Sequence, residues 1–120
     1  MQNMDTKMVI AIRTDKYYEN LSTSLSARLV SEAVIYAYQR GQEVDSVAVN
    51  QWTMNGSRKV VVKCPSLEEL EALKAKAEST GVNYYILQKQ LFDAVEPVLC
   101  VVGPALLERV DQVTGHLKLL

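Results

Sequence analysis

Apolar positions along the chain follow two periods, and the change from one to the other marks out the elements. KMVIAIR, residues 7–13, is a short, nearly continuous apolar run ended by Thr14-Asp15, which predicts a strand buried on both faces. Residues 1–6 before it read as a frayed start. In NLSTSLSARLVSEAVIYAYQRG, residues 20–41, Leu21, Leu25, Leu29, Ala33 or Val34, and Ala37 recur at helical spacing. The small polar residues Asn20 to Ser24 offer an N-cap there, and Gly41 a stop. DSVAVNQWTMNG fits either a short helix carrying Trp52 inward or an irregular cover, with Asn55-Gly56 as a turn. RKVVVKC predicts a second buried strand.

Pro65-Ser66 opens the clearest helix, with Ser66 as N-cap, Glu69 completing a capping box, Leu70, Leu73 and Ala77 inward, and Gly81 beyond its end. NYYILQ and PVLCVVG predict a third and a fourth strand. Pro104 is expected to start a last helix, ALLERVDQVTG. In the ending VTGHLKLL, Gly115 is expected to take a left-handed cap. Leu117 and Leu119 then alternate into the core along a short closing strand, with His116 and Lys118 facing away. Buried strands joined by helical crossovers argue for an α/β protein, a three-layer α/β/α sandwich with a mixed four- to five-stranded sheet.

Composition narrows the function classes rather than the fold. At 120 residues and 48% hydrophobic, residues 1–120 are expected to form one domain with a single core. Cys64 and Cys100 lie in apolar runs and lack zinc-like spacing, so buried reduced thiols are expected, with no metal and no cofactor. The run MVIAI is too short for a signal peptide, and no stretch approaches the roughly 20 apolar residues of a membrane span. A cytoplasmic protein is the expectation. The net charge of −1 gives no bulk attraction to nucleic acid, so such a partner would need a local basic patch.

RTD after the first strand, KVVVKCPSLEELEAL, VVGP and above all VTGHLKLL resemble the type II peptidyl-tRNA hydrolases, in that family's order and over nearly the whole chain. The resemblance implies a mixed sheet with helices on both faces, a homodimer, and hydrolysis of the ester joining a peptide to the 3′ end of transfer RNA. That family opens its first helix with a lysine- and glycine-rich turn followed by a glutamine and a histidine. Here the lysine position falls on Leu25 or Ser24, the glutamine near Leu29 and the histidine on Glu32. The family's aspartate, in a loop after the third strand, falls on Lys89. The catalytic lysine, glutamine and aspartate are therefore not matched. NLSTSLSARL and QLFDA are also similar to a bacterial branch of the same superfamily, from which no activity follows.

Several residues remain as site candidates. Thr14 and Asp15 end the first strand, where open α/β sheets place ligands, although an aspartate there also suits a turn. The hydroxyls of Ser22, Thr23, Ser24 and Ser26 suit an anion at a helix N-terminus, and capping accounts for at least one of them. Arg28 and Glu32 stand at i,i+4, either as an exposed pair worth about a few tenths of a kcal/mol or, in a cleft, as anion holder and general base. Lys89 with Lys16 offers part of a basic rim for phosphates. The doublets Tyr17-Tyr18 and Tyr84-Tyr85 suggest base stacking, but neighbours on a strand point to opposite faces. His116, the single histidine, reads as structural near a helix C-terminus. Three functions follow for testing. They are an ester hydrolase acting on transfer RNA, a non-catalytic homologue binding a small anionic ligand or protein partner in the same cleft, and a structural homodimer.

Overall fold

A computed structural model of the chain describes residues 5–15, 18, 21–91 and 93–120. Lys16, Tyr17, Asn20 and most of the expected frayed start lie outside the described residues. The chain runs β1 (Thr6–Arg13), α1 (Thr23–Val44), α2 (Ser46–Met54), β2 (Lys59–Cys64), α3 (Leu67–Thr80), β3 (Tyr84–Gln90), β4 (Val95–Leu106) and α4 (Leu107–Thr114). The strands form one sheet in the order β2-β1-β4-β3. β1 is parallel to β2 and antiparallel to β4, and β4 is antiparallel to β3, which makes the sheet mixed.

Alternation along the central strands builds a core on each face. Met8, Ile10, Ile12, Leu99 and Val101 meet Leu29, Ala33, Ala37 and Trp52 of α1 and α2. Val9, Ala11, Cys100 and Val102 meet Leu70, Leu73 and Ala77 of α3 and Val110 and Val113 of α4. Strands apolar on both faces need helices on both, and the three layers follow. Trp52 is the inward residue of a genuine helix, its indole N–H donating to the Arg58 carbonyl at 2.8 Å.

The start of α3 forms as its sequence predicts. Ser66 accepts from the Glu69 N–H at 3.0 Å, and Gly81 closes the helix at φ 71°, a conformation costly for any residue with a Cβ. Four expectations change. Gly41 sits inside α1 rather than at its end. A Cβ there would lie 2.8 Å from Val49 Cγ2, so the glycine lets α2 fold back against α1. Pro104 does not start a helix. β1 holds β4 in register as far as Thr6–Leu106, and the shift between the Val9–Val102 and Lys7–Ala105 pairs leaves Gly103-Pro104 at a bulge, where a missing N–H is tolerated. Gly115 is right-handed, at φ −62°, because the chain continues its turn to bring Leu117 onto the core. Leu119 is 70% exposed. It bridges Val62 beyond β2, at the edge of the sheet.

Candidate functional site

At the carboxyl end of β1 the chain buries a charge. Arg13 ends an otherwise apolar strand and is 2% exposed, so its guanidinium must be neutralised where it stands. Asp15 does so in bidentate fashion, accepting from Nε at 2.9 Å and from Nη2 at 2.8 Å. Nη1 donates to Glu96 Oε1 at 2.5 Å and to the Pro97 carbonyl at 3.1 Å. Tyr18 donates its hydroxyl to the same Glu96 oxygen at 2.7 Å, and its ring lies 4.3 Å beneath the guanidinium. The hydrogen bonds that Arg13 donates to Asp15 hold it protonated more firmly than an ordinary arginine. Burial, helped by the bond to Glu96, pushes the Tyr18 phenol up to about 12.

A second pair lies beside this cluster. Lys89 Nζ on β3 meets both carboxylate oxygens of Glu32 on α1, at 3.0 and 2.9 Å. Glu32 therefore reaches across to the sheet, while Arg28 stands exposed on the helix. The i,i+4 pair gives way to a tertiary one. Lys89 and Glu96 are direct partners in the β3–β4 register, which places their side chains on one face about 5 Å apart at Cβ. Glu32, Lys89, Glu96, Arg13 and Asp15 thus form a row of alternating charge across α1, β3, β4 and β1.

The remaining sequence candidates divide. Ser22 caps α1, accepting from the Leu25 N–H at 3.1 Å. Ser24 is exposed. Thr14, Thr23, Ser26 and Ser31 line a groove of about 720 Å³, shared with Tyr18, Val30, Val34, Val61 and Leu120, between α1 and the β1–β2 side of the sheet. Leu29, near the family's glutamine position, is buried, and Leu25 packs on the same core, while Ser24, the other residue on which the lysine position falls, is exposed. Tyr84 and Tyr85 do face opposite ways, Tyr84 toward the α3–α4 core and Tyr85 stacked on Tyr36 at 5.2 Å. His116 Nε2 lies 2.6 Å from Glu69 Oε1 and ties the end of α4 to the first turn of α3. A smaller hollow of about 370 Å³ runs past Thr14, Lys63, Glu69, His116 and Lys118. Cys64 and Cys100 are free and buried, and no His, Cys, Asp or Glu cluster among the described residues could hold a metal ion.

Sequence reasoning singled out Asp15, Glu32 and Lys89 but missed Arg13 and Glu96. The available signals were an arginine closing a fully apolar strand and a glutamate opening another, since each must find a partner once its strand is buried.

The family model for peptidyl-tRNA hydrolase PTH2 matches residues 6–120. The chain belongs to the peptidyl-tRNA hydrolase PTH2 family. It is 34% identical to the peptidyl-tRNA hydrolase of Thermoplasma acidophilum, covering 98% of this chain and 100% of that protein. It is 33% identical to that of Methanocaldococcus jannaschii, covering 95% and 99%. The mouse mitochondrial peptidyl-tRNA hydrolase 2 is 32% identical over 94% of this chain and 62% of its own length. Glu32 and Lys89, on which the family's histidine and aspartate fall by resemblance, meet here as an ion pair at 2.9 Å.

Proposed function

We propose that this chain, as one domain over residues 1–120, hydrolyses the ester between a peptidyl group and the 3′ end of transfer RNA. In this reading Glu32 is the general base and Lys89 the cation beside the reacting carbonyl. The observation that carries the proposal is the 2.9 Å Lys89–Glu32 pair, joined through Glu96 to the Arg13 cluster. Membership in a family whose curated relatives are named peptidyl-tRNA hydrolases supports the substrate class. The cytoplasmic setting expected from composition and the homodimeric assembly implied by the resemblance stand with this proposal. No described helix is long and apolar enough to cross a membrane.

The chemistry needs few groups. Glu32 takes a proton from a water, whose oxygen attacks the ester carbonyl. The tetrahedral oxyanion that forms lies beside the Lys89 ammonium. Collapse breaks the ester bond, and the ribose oxygen leaves with the proton that Glu32 returns. Arg13, locked by Asp15 and Glu96, fixes Glu96 opposite Lys89 and so sets where Lys89 stands. Single-turnover release of peptide from peptidyl-tRNA tests the reading. Glu32→Gln should lower the rate roughly 10²- to 10⁴-fold with transfer RNA binding retained, and Lys89→Met should lower it comparably.

A second reading is favoured by Leu25 and Leu29, which pack where the family resemblance expects lysine and glutamine, beside an apolar groove. It is a non-catalytic homologue that binds an anionic ligand or a protein partner in the cleft. Wild-type protein that releases no peptide above the uncatalysed rate would remove the hydrolase reading and leave this one.

A further inference from the structure

Among the described residues, the charge row at the candidate site holds three acids and two bases, each base paired with an acid of the row. Further positive charge lies on the edge strand. The Lys63 N–H donates to the Lys118 carbonyl at 2.8 Å, the Leu120 N–H donates to the Val61 carbonyl at 3.1 Å, and Val62 bridges Leu119 in antiparallel fashion. That register sets Lys63 and Lys118 directly opposite each other on one face, with Cβ atoms about 5 Å apart. Like charges so placed repel, and a sheet normally avoids them.

Three other lysines find partners. Lys7 meets Asp111, Lys89 meets Glu32, and Lys59 donates to the Ser57 carbonyl beneath the Trp52 ring. Lys63 and Lys118 are both exposed, and among the described residues neither ammonium meets a carboxylate. They share their hollow with Thr14, His116 and Glu69, and the acid there is already taken by His116 at 2.6 Å. Thr14 also lines the larger groove that reaches Arg13 and Tyr18, so the hollow opens beside the candidate site.

We propose that Lys63 and Lys118 form a two-pronged seat for one backbone phosphate of the transfer RNA acceptor strand, positioning its 3′ end toward the Arg13–Glu96 cluster. The inference rests on the reading of the chain as a transfer RNA ester hydrolase. A phosphate between two ammonium groups relieves their mutual repulsion, which gives the pairing a purpose that the sheet does not supply. Lys63 and Lys118 are positioning residues, since neither reaches the row from Glu32 to Asp15.

Binding of deacylated transfer RNA, followed by fluorescence anisotropy across a salt series, tests the seat without any chemical step. The double variant Lys63→Ala/Lys118→Ala should bind roughly tenfold more weakly at low salt, with a log–log salt slope shallower by about 1. Lys63→Arg/Lys118→Arg should keep the wild-type slope. Lys74→Ala, an exposed lysine on α3, should leave affinity and slope unchanged. Thermal unfolding should show the double Ala variant folded, with a midpoint equal to or above wild type because a repulsion has been removed. An unchanged slope in the double Ala variant overturns the seat and leaves the hydrolase reading intact, as does a loss in Lys74→Ala equal to that of the pair. Wild-type protein that binds no transfer RNA overturns the seat as well, and peptide release then decides the hydrolase reading on its own.

Discussion

Arg13 organises the site because burial leaves it no alternative. Its guanidinium is 2% exposed, with side-chain exposures of 19% for Asp15 and 36% for Glu96. Replacing it by a hydrophobe of similar length leaves two carboxylates facing each other with no cation between them. Arg13→Met should therefore destabilise the protein by about 3 kcal/mol or more, read by urea denaturation. Asp15→Asn should cost less, because Glu96 and the Pro97 carbonyl still hold the guanidinium. Little of this could be read locally. RTD was visible as a strand ending, but Glu96 lies 83 positions away, and its approach depends on β1 pairing with β4. The same holds for Glu32. A sequence offers Arg28 as its helical neighbour, and only the sheet supplies Lys89.

At the scale of elements, local pattern went furthest where local forces act alone. The cap at Ser66, the inner face of α3 and the left-handed Gly81 needed nothing beyond their own turn of chain. Gly41 shows the limit. A glycine at the end of an amphipathic stretch looks like a stop signal, and a glycine demanded by a neighbouring helix looks identical. Here α1 passes through Gly41 to Val44, and Asn83 fastens the same region by donating to the Ala37 and Gly103 carbonyls at 3.0 and 2.9 Å. Gly41→Ala gains helix propensity but drives a methyl to 2.8 Å from Val49. The clash should win, with a net loss of about 1–3 kcal/mol in thermal or chemical denaturation. Val49→Ala in that background should recover part of the loss, which separates packing from backbone strain.

Over the whole molecule, both faces of the sheet are sealed, and this sets the response to alkali. Burial pushes the Cys64 thiol from 9.0 up to about 11 and the Cys100 thiol up to about 12. A folded state that keeps protons the unfolded chain releases is most stable below the unfolded value and loses stability as pH rises beyond it. Stability should thus hold up to about pH 9 and fall between pH 9 and 12. Cys64 accounts for on the order of 2 kcal/mol of that fall. Chemical denaturation at successive pH values checks this, and Cys64→Ala should flatten the decline between pH 9 and 11. The sealed layers were also the most legible feature of the sequence. Runs such as MVIAI and VLCVV carry their message in every residue, whereas the site depends on which runs become neighbours.

The strand order has a consequence for how the molecule comes into being. β1 is made first, yet it lies between β2 and β4, with Thr6 against Leu106. At ribosomal speeds of about 5–20 residues per second, roughly 5–20 s separate its synthesis from that of its antiparallel neighbour. For that interval KMVIAIR has no strand on one side, and the apolar faces of α1 and α2 have no finished sheet to cover. The sheet therefore cannot close until β4, which lies between β1 and β3, has been made.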